Sequence, residues 1–297
     1  MHISVAGKLG SGKSTICRKL KNRHGFQVYS TGAIQREMAS QHKVSTLEMN
    51  NLMAKDLSFD HAIDDAVAKI SIDKESETII FDSRMAWKFA TKSFKVFVTV
   101  DPLVAAERVM GSQRGEVEAY ANLEEAKSKL IERARLENER FVEIYGVNNF
   151  DYSNYNLIID STYASSSELA DIVYDKYRGY CKSNVETQDI VLTPTSLYPV
   201  AGVGGTEAQG SEEHISVALF DGYHFIVEGR QRVLEAIVSN EKFVEVKMAD
   251  ADKYPILKSA QNIISEIKST GAAAARDFEK KGKFKYKSYP DCYFARP

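Results

Sequence analysis

Cysteine is scarce. Cys17, Cys181 and Cys292 are the three in 297 residues; they are far apart, odd in number and without CxxC spacing. A disulfide framework and a cysteine zinc site are excluded as organising features, and reduced thiols are expected. An excess of one charge is also lacking: 39 Lys and Arg stand against 41 Asp and Glu, a formal net charge of -2, so no global field draws the chain to nucleic acid or membrane. The six histidines form no HExxH or other ligand spacing, and His2 only precedes a strand-like run. No apolar run reaches the roughly 20 residues that span a bilayer, so no membrane role is expected. Residues 1–7 run straight into a glycine turn with no basic segment and apolar stretch before them. No signal peptide is therefore expected, and the expected compartment is the cytosol.

The composition that remains, 43% hydrophobic and 27% charged, is that of a globular chain with real cores. At about 100–200 residues per domain, two domains are expected. Short apolar runs at 3–6, 26–29, 78–81, 95–100 and 156–160 read as buried strands. Helical stretches at 15–22, 47–53, 123–141 and 165–180 separate or follow them, which predicts an α/β fold with a parallel five-stranded sheet over residues 1–182. The remaining residues, 183–297, begin with a polar stretch, a turn-like Thr193-Pro194-Thr195-Ser196 and a segment from 202 to 211 rich in glycine and small residues, a linker or long loop. Beyond it, Asp221-Gly222 between apolar runs predicts a hairpin over 215–227, followed by a helix over 230–238 and a mostly helical tail from Tyr254.

The strongest motif is Gly7-Lys8-Leu9-Gly10-Ser11-Gly12-Lys13-Ser14, a full GxxxxGK[ST] placed after a strand and before a helix. Its glycines let the backbone fold tightly so that N–H groups face a β-phosphate, and the helix that follows points its positive end at the same anion. Gly7, Gly10, Ser11, Gly12, Lys13, Ser14 and Thr15 are the candidate nucleotide-binding residues. Lys13 is placed to reach β- and γ-phosphates and Ser14 to supply oxygen to Mg²⁺. Lys8 is a variable position, read as solvated. Neither DxxG nor NKxD follows, which argues against a GTPase. The strand at 78–81 ends in Asp82-Ser83-Arg84, an acid followed by an arginine, which suits a site that binds a second phosphate. Other phosphate-binding candidates are Arg36, Arg108, Arg114, Arg133 and Arg140, because a planar guanidinium grips phosphate bidentately. Arg133, Glu137 and Arg140 are spaced i, i+4, i+7 and share one helix face; the plain alternative is a solvated, salt-bridged face.

The P-loop, Tyr29-Ser30-Thr31-Gly32-Ala33-Ile34-Gln35-Arg36, Asp82-Ser83-Arg84, Arg133–Arg140, Glu143-Ile144-Tyr145-Gly146 and Tyr155–Thr162 follow one another in an order that resembles the cytidylate kinase family, most of all its short archaeal-type members. The resemblance implies a P-loop kinase using ATP and Mg²⁺, with a nucleoside monophosphate, CMP or dCMP foremost, as acceptor. It also implies roles: Thr31 and Arg36 for the monophosphate, Arg84 for the acceptor phosphate or base end, and Arg114 on a mobile lid. Arg133 and Arg140 would lie near the transferred phosphoryl, Glu137 would help read the base, and Asp82 would join Ser14 at the metal. Residues 56–65 would help shape the base pocket. Ser83 departs from the family's usual glycine and Lys8 from its proline or alanine. Related readings are a kinase for another acceptor (a different nucleotide, a modified base in DNA, or a small hydroxyl metabolite) and a nucleotide-gated binding protein.

Residues 221–236 resemble the core of ParB/sulfiredoxin-like domains, which implies a smaller C-terminal α+β domain. There Gly229, Arg230 and Arg232 would form an anion site at a helix start. Its ligand would be a nucleotide, nucleic acid, or the substrate of a second phosphotransferase site. The alternative is a structural domain with solvent-facing arginines. Lys280–Lys287, with Phe284 and Tyr286 interleaved, reads as a solvated basic tail, or as a strip that touches nucleic acid.

Overall fold

The fold is described from a computed structural model. It covers all residues except 33, 35–39, 41–43, 45–51, 53–55, 57, 112–119, 184–186, 201–213, 221, 288, 291–292 and 294–297. The expected helix at 47–53, the loop at 202–211, Arg36, Arg114 and Cys292 thus lie wholly or almost wholly outside the described residues. The chain forms two compact units, Met1–Gln188 and Asp189–Pro297.

In the first unit, β1 (His2–Gly7), β2 (Gln27–Ser30), β3 (Ile79–Asp82), β4 (Ser93–Thr99) and β5 (Leu157–Asp160) form a parallel sheet in the order β2-β3-β1-β4-β5. Every residue of β1 is buried, as are all four of β3 and of β5. A strand covered on both faces needs a continuous apolar run, not an alternating one, which is why those runs were readable. α1 (Lys13–His24) and α6 (Ser166–Ser183) pack together, and so do α4 (Pro102–Gly111) and α5 (Leu123–Tyr145). α2 (Ser58–Asp73) and the short α3 (Ala86–Phe89) lie against β3 through Val67, Ile79, Phe81 and Ala86. His2 is structural: Ile79 N donates to its Nδ1 (3.3 Å), and its Nε2 lies 2.8 Å from the Ser71 carbonyl.

In the second unit, β6 (Asp189–Leu192), β7 (Leu197–Pro199), β8 (Ile215–Phe220), β9 (Tyr223–Glu228) and β10 (Val244–Met248) lie in the order β6-β10-β8-β9-β7. β8 and β9 are the antiparallel hairpin, paired at Phe220 and Tyr223. β10 runs antiparallel to β6 and parallel to β8, and β7 runs parallel to β9. The strands β6, β7 and β10 were not expected; each has five residues or fewer. Their pairing partners are remote in the chain, so little local pattern announces them. α7 (Arg230–Val238) and α8 (Ala260–Gly282) complete the unit.

Two expectations for this unit meet internal contacts. Arg230 and Arg232, the expected anion site with Gly229, are not left free of protein partners. Arg232 makes a two-pronged contact with Glu241 (3.1 and 2.8 Å), and Arg230 donates to the Val200 carbonyl. Gly229 is required by its left-handed backbone (φ 77°) and by the His214 carbonyl, which a Cβ would approach to 2.6 Å. Nor are the aromatic residues of the basic tail available to stack on bases. Tyr286 is buried, donates to the Leu197 carbonyl (2.8 Å) and stacks on Tyr198 at 4.8 Å, with Phe284 packed against it. Lys281 and Lys285 pair with Asp277 and Glu279.

Candidate active site in the first unit

The P-loop joins β1 to α1, and its backbone is one that only glycine adopts easily: φ is 140° at Gly7, 74° at Gly10 and 82° at Gly12. Leu9 packs against the buried cluster that includes Val104, Ala105 and Val109 of α4 and Ala126 and Leu130 of α5, which anchors the loop to both helices. Gly12 caps α1 without a side-chain bond, so the first N–H groups of that helix remain to meet an anion. Thr15 N is the exception, donating back to the Gly12 carbonyl at 2.9 Å. The Ser11 hydroxyl is buried with no hydrogen-bond partner. Lys8, expected to be solvated, has its Nζ 3.4 Å from the Val100 carbonyl.

Lys13 Nζ lies back across the loop, donating to the carbonyls of Gly7 (2.8 Å) and Lys8 (2.9 Å). Burial, with the Arg84 charge adding to it, pushes its pKa down to about 8. The fold thus leaves part of the cost of charging this ammonium unmet, and it gains strongly from an arriving phosphate. Beside it, Ser14 Oγ donates to Asp82 Oδ2 at 2.6 Å, and Ser30 Oγ reaches the same oxygen at 3.3 Å. Thr31 Oγ1 is 3.5 Å from the Asp82 carbonyl. β1, β2 and β3 therefore deliver the loop, Ser30–Thr31 and Asp82 to one end of the sheet.

Ser14 and Asp82 are hard oxygen donors. No group of three or more His, Cys, Asp or Glu among the described residues could hold a metal by itself. That donor set fits Mg²⁺, which keeps several waters and is held by one or two carboxylates together with phosphate oxygens.

Opposite the loop, Glu137 Oε1 lies 2.5 Å from Arg84 Nη1 and 3.1 Å from Arg133 Nε. Glu137 was expected to help read a base; here it holds two guanidiniums together. A narrow, open cleft between them is lined by Gly7, Lys8, Leu9, Arg84, Glu137 and Phe141 among others. α5 is held in place by Asn149, which accepts from Trp87 Nε1 (2.8 Å) and Tyr155 Oη (2.7 Å) while its N–H donates to Asn138 (2.8 Å). Arg140 was expected near the transferred phosphoryl but turns to Asp60 Oδ1, at 3.5 Å. Arg108 donates to Ser161 Oγ and to the carbonyls of Ser161 and Thr162, and so pins α4 to the end of β5.

Residue-level reading of the sequence did not single out Asp60, Asp64 or Asn149. Asp60 and Asp64 fall within the stretch expected to shape a base pocket, and their i, i+4 spacing puts them on one face of α2. Tyr145 donates to Asp64. Burial pushes Asp64 up to about 6 against the lowering effect of that bond, and burial first, then Asp64, raises Tyr145. The folded state thus holds the Asp64 proton more tightly than the unfolded chain, whose value is near 3.9. Stability falls as pH rises from about 4 to about 6, and the loss is constant above that. Asp64→Asn does not titrate and its amide oxygen can still accept from Tyr145. Its Tm relative to the native chain is expected to climb between pH 4 and 6 and then level off; a flat difference in thermal melts would refute the assignment.

A complete P-loop at the end of a parallel sheet, faced by clustered arginines, defines a P-loop kinase-like α/β unit. Residues 2–163 match the model of the cytidylate kinase-like family, and the chain belongs to that family. It is 29% identical to the cytidylate kinase of Methanoregula boonei over 174 residues, covering 58% of this chain and 92% of that one. It is 31% identical to the cytidylate kinase of Methanosarcina mazei over 176 residues (58% and 94%), and 31% identical to that of Pyrococcus furiosus over 160 residues (54% and 79%). No helix among the described residues is long and apolar enough to cross a membrane.

Proposed function

We propose that the first unit transfers the γ-phosphoryl group of ATP to a nucleoside monophosphate, with CMP or dCMP the preferred acceptor. The observation that carries this reading is that Lys13 lies within electrostatic range of Arg84, Asp82 and Glu137, with Ser14 bonded to Asp82 and Arg84 and Arg133 both bonded to Glu137. Lys13 leaves the two loop carbonyls to meet the donor's β- and γ-phosphates. Arg84 and Arg133 neutralise the acceptor phosphate, and Glu137 keeps the two like charges in register until it arrives. The acceptor phosphate is already an anion, so in-line displacement requires no strong base and no covalent intermediate. Mg²⁺, held by Ser14 and Asp82, would supply charge neutralisation across the phosphates. Arg36 and Arg114 are kept as acceptor and lid residues on the resemblance alone.

For residues 183–297 we keep the ParB/sulfiredoxin-like kinship as a proposal, supported by the β8–β9 hairpin that runs into α7 at Gly229. The internal partners of Arg230 and Arg232 argue against an anion site there.

The test is ADP release from ATP–Mg²⁺ across a panel of nucleoside monophosphates. CMP or dCMP is expected to stand out in kcat/KM. Failure of every monophosphate would overturn the reading and direct the search to DNA, nucleosides and small hydroxyl compounds.

A further inference from the structure

Arg84 and Glu137 meet from different elements: Arg84 stands in the turn from β3 into α3, and Glu137 on α5. Their ion pair is partly exposed, with side-chain exposures of 31% and 16%, and such a pair does little to hold two helices at a set distance. The same two elements are joined a second time, by buried groups. Trp87, in α3 just after Arg84, donates from Nε1 to Asn149 Oδ1 at 2.8 Å. Asn149 N donates to Oδ1 of Asn138, the residue next to Glu137, at 2.8 Å. Tyr155 Oη adds a third arm from the entry to β5, 2.7 Å from Asn149 Oδ1. Trp87, Asn149 and Tyr155 are all buried, and Asn138 and Asn149 line the cleft together with Arg84 and Glu137. A buried donor left without its acceptor is costly, so α3 and α5 cannot drift apart unless Trp87 Nε1 or Asn149 N gives up its bond.

We propose that Asn149 is a positioning residue for the acceptor phosphate: it fixes the register of α3 against α5, and through that register the spacing of Arg84 and Arg133 about Glu137. The assignment rests on the monophosphate-kinase reading and adds to it what keeps the arginines in place. A phosphate gripped by two guanidiniums needs their forks at one separation, and such a constellation works only when held to within about 0.5 Å. Glu137 holds the guanidiniums until the acceptor arrives. The bonds of Asn149 to Trp87 and Asn138 involve neither arginine, so they remain when the phosphate displaces the ion pair. The arm from Tyr155 leads to β5, which carries neither arginine.

The experiment compares the full native chain with Trp87→Phe, Asn149→Ala and Tyr155→Phe. One readout is steady-state kinetics with CMP and ATP–Mg²⁺. The other is NMR of the Arg84 guanidinium, identified as the signal missing from Arg84→Lys; its internal rotation is slowed while Nη1 is paired with Glu137. Phenylalanine at position 87 removes the bond from α3 and leaves Asn149 itself in place. In Trp87→Phe and in Asn149→Ala the KM for CMP is expected to rise about 10-fold or more, with the KM for ATP unchanged and the Arg84 rotation faster. Tyr155→Phe cuts only the arm to β5 and is expected to lower Tm while keeping both KM values and the slow rotation. A purely structural Asn149 would lower Tm in all three variants and leave the KM for CMP and the Arg84 rotation native, and that result overturns the proposal. So does a rise in the KM for CMP that Tyr155→Phe shares, or a faster rotation without any change in that KM. If the native protein does not phosphorylate CMP, the kinase reading falls and the rotation alone decides this one: faster in Trp87→Phe but native in Tyr155→Phe upholds the register role of Asn149, and any other pattern ends it.

Discussion

Lys13→Met is expected to lower phosphoryl transfer by about 10³-fold or more while leaving the protein folded and, near neutral pH, slightly more stable. Lys13 Nζ is the cation at the mouth of the P-loop, donating to the Gly7 and Lys8 carbonyls and displaced from water by the surrounding fold. Its folded pKa, about 8, lies well below the ordinary 10.5. The unfolded chain therefore binds that proton more tightly, and stability rises with pH between about 8 and 10.5 as the folded lysine loses its charge first. Methionine keeps most of the side chain's length and removes the charge, so the variant's Tm advantage should be present at pH 7 and shrink across that window. Gain of stability with loss of turnover is the signature of a residue strained for function. The measurement is a pair: ADP formation with the best acceptor, and thermal melts from pH 7 to 11. Retained turnover would remove Lys13 from the mechanism, and with it the P-loop reading of the site.

The largest effect on stability is expected at Gly7. A Cβ there would stand 2.6 Å from Val98 N and 2.9 Å from Val98 C, and closer still to the Val98 carbonyl oxygen, all backbone atoms of the neighbouring β4. At φ 140° the residue also lies in a region that L side chains rarely adopt. Strain and overpacking together set the cost of Gly7→Ala at about 3 kcal/mol or more. For a unit of this size that lowers Tm by roughly 6–12 °C. Gly25 is the control: it also has positive φ, 71°, but a Cβ there meets nothing within 4 Å. Gly25→Ala is expected to cost only about 1 kcal/mol, the backbone term alone. Equal Tm losses in the two variants would mean that the approach of β4 to the loop is not what demands glycine at position 7.

The part of the site that could be read in advance was contiguous or periodic. The P-loop is one unbroken motif whose spacing is set by the phosphate it wraps, and α5 shows its Arg133, Glu137 and Arg140 at helical intervals. β1, β3, β4 and β5 were legible because burial on both faces demands largely apolar runs, whereas β2 is only half-buried. Arg230 and Arg232 sit in an equally suggestive local pattern, yet their partners, Val200 and Glu241, are supplied by other segments of the same unit. A guanidinium's reach is several ångströms, and no local pattern says which carboxylate or carbonyl will fall within it.

The amino-acid order by itself determined the parallel sheet, the phosphate loop and the basic helix face, since each follows from backbone geometry acting on residues near one another in the chain. Only the tertiary structure decided that Asp82 meets Ser14 across 68 residues, that Glu137 binds Arg84, and that Asp60 pairs with Arg140. Those pairings depend on how far each helix is turned as it packs on the sheet, and that rotation is set by the whole core at once.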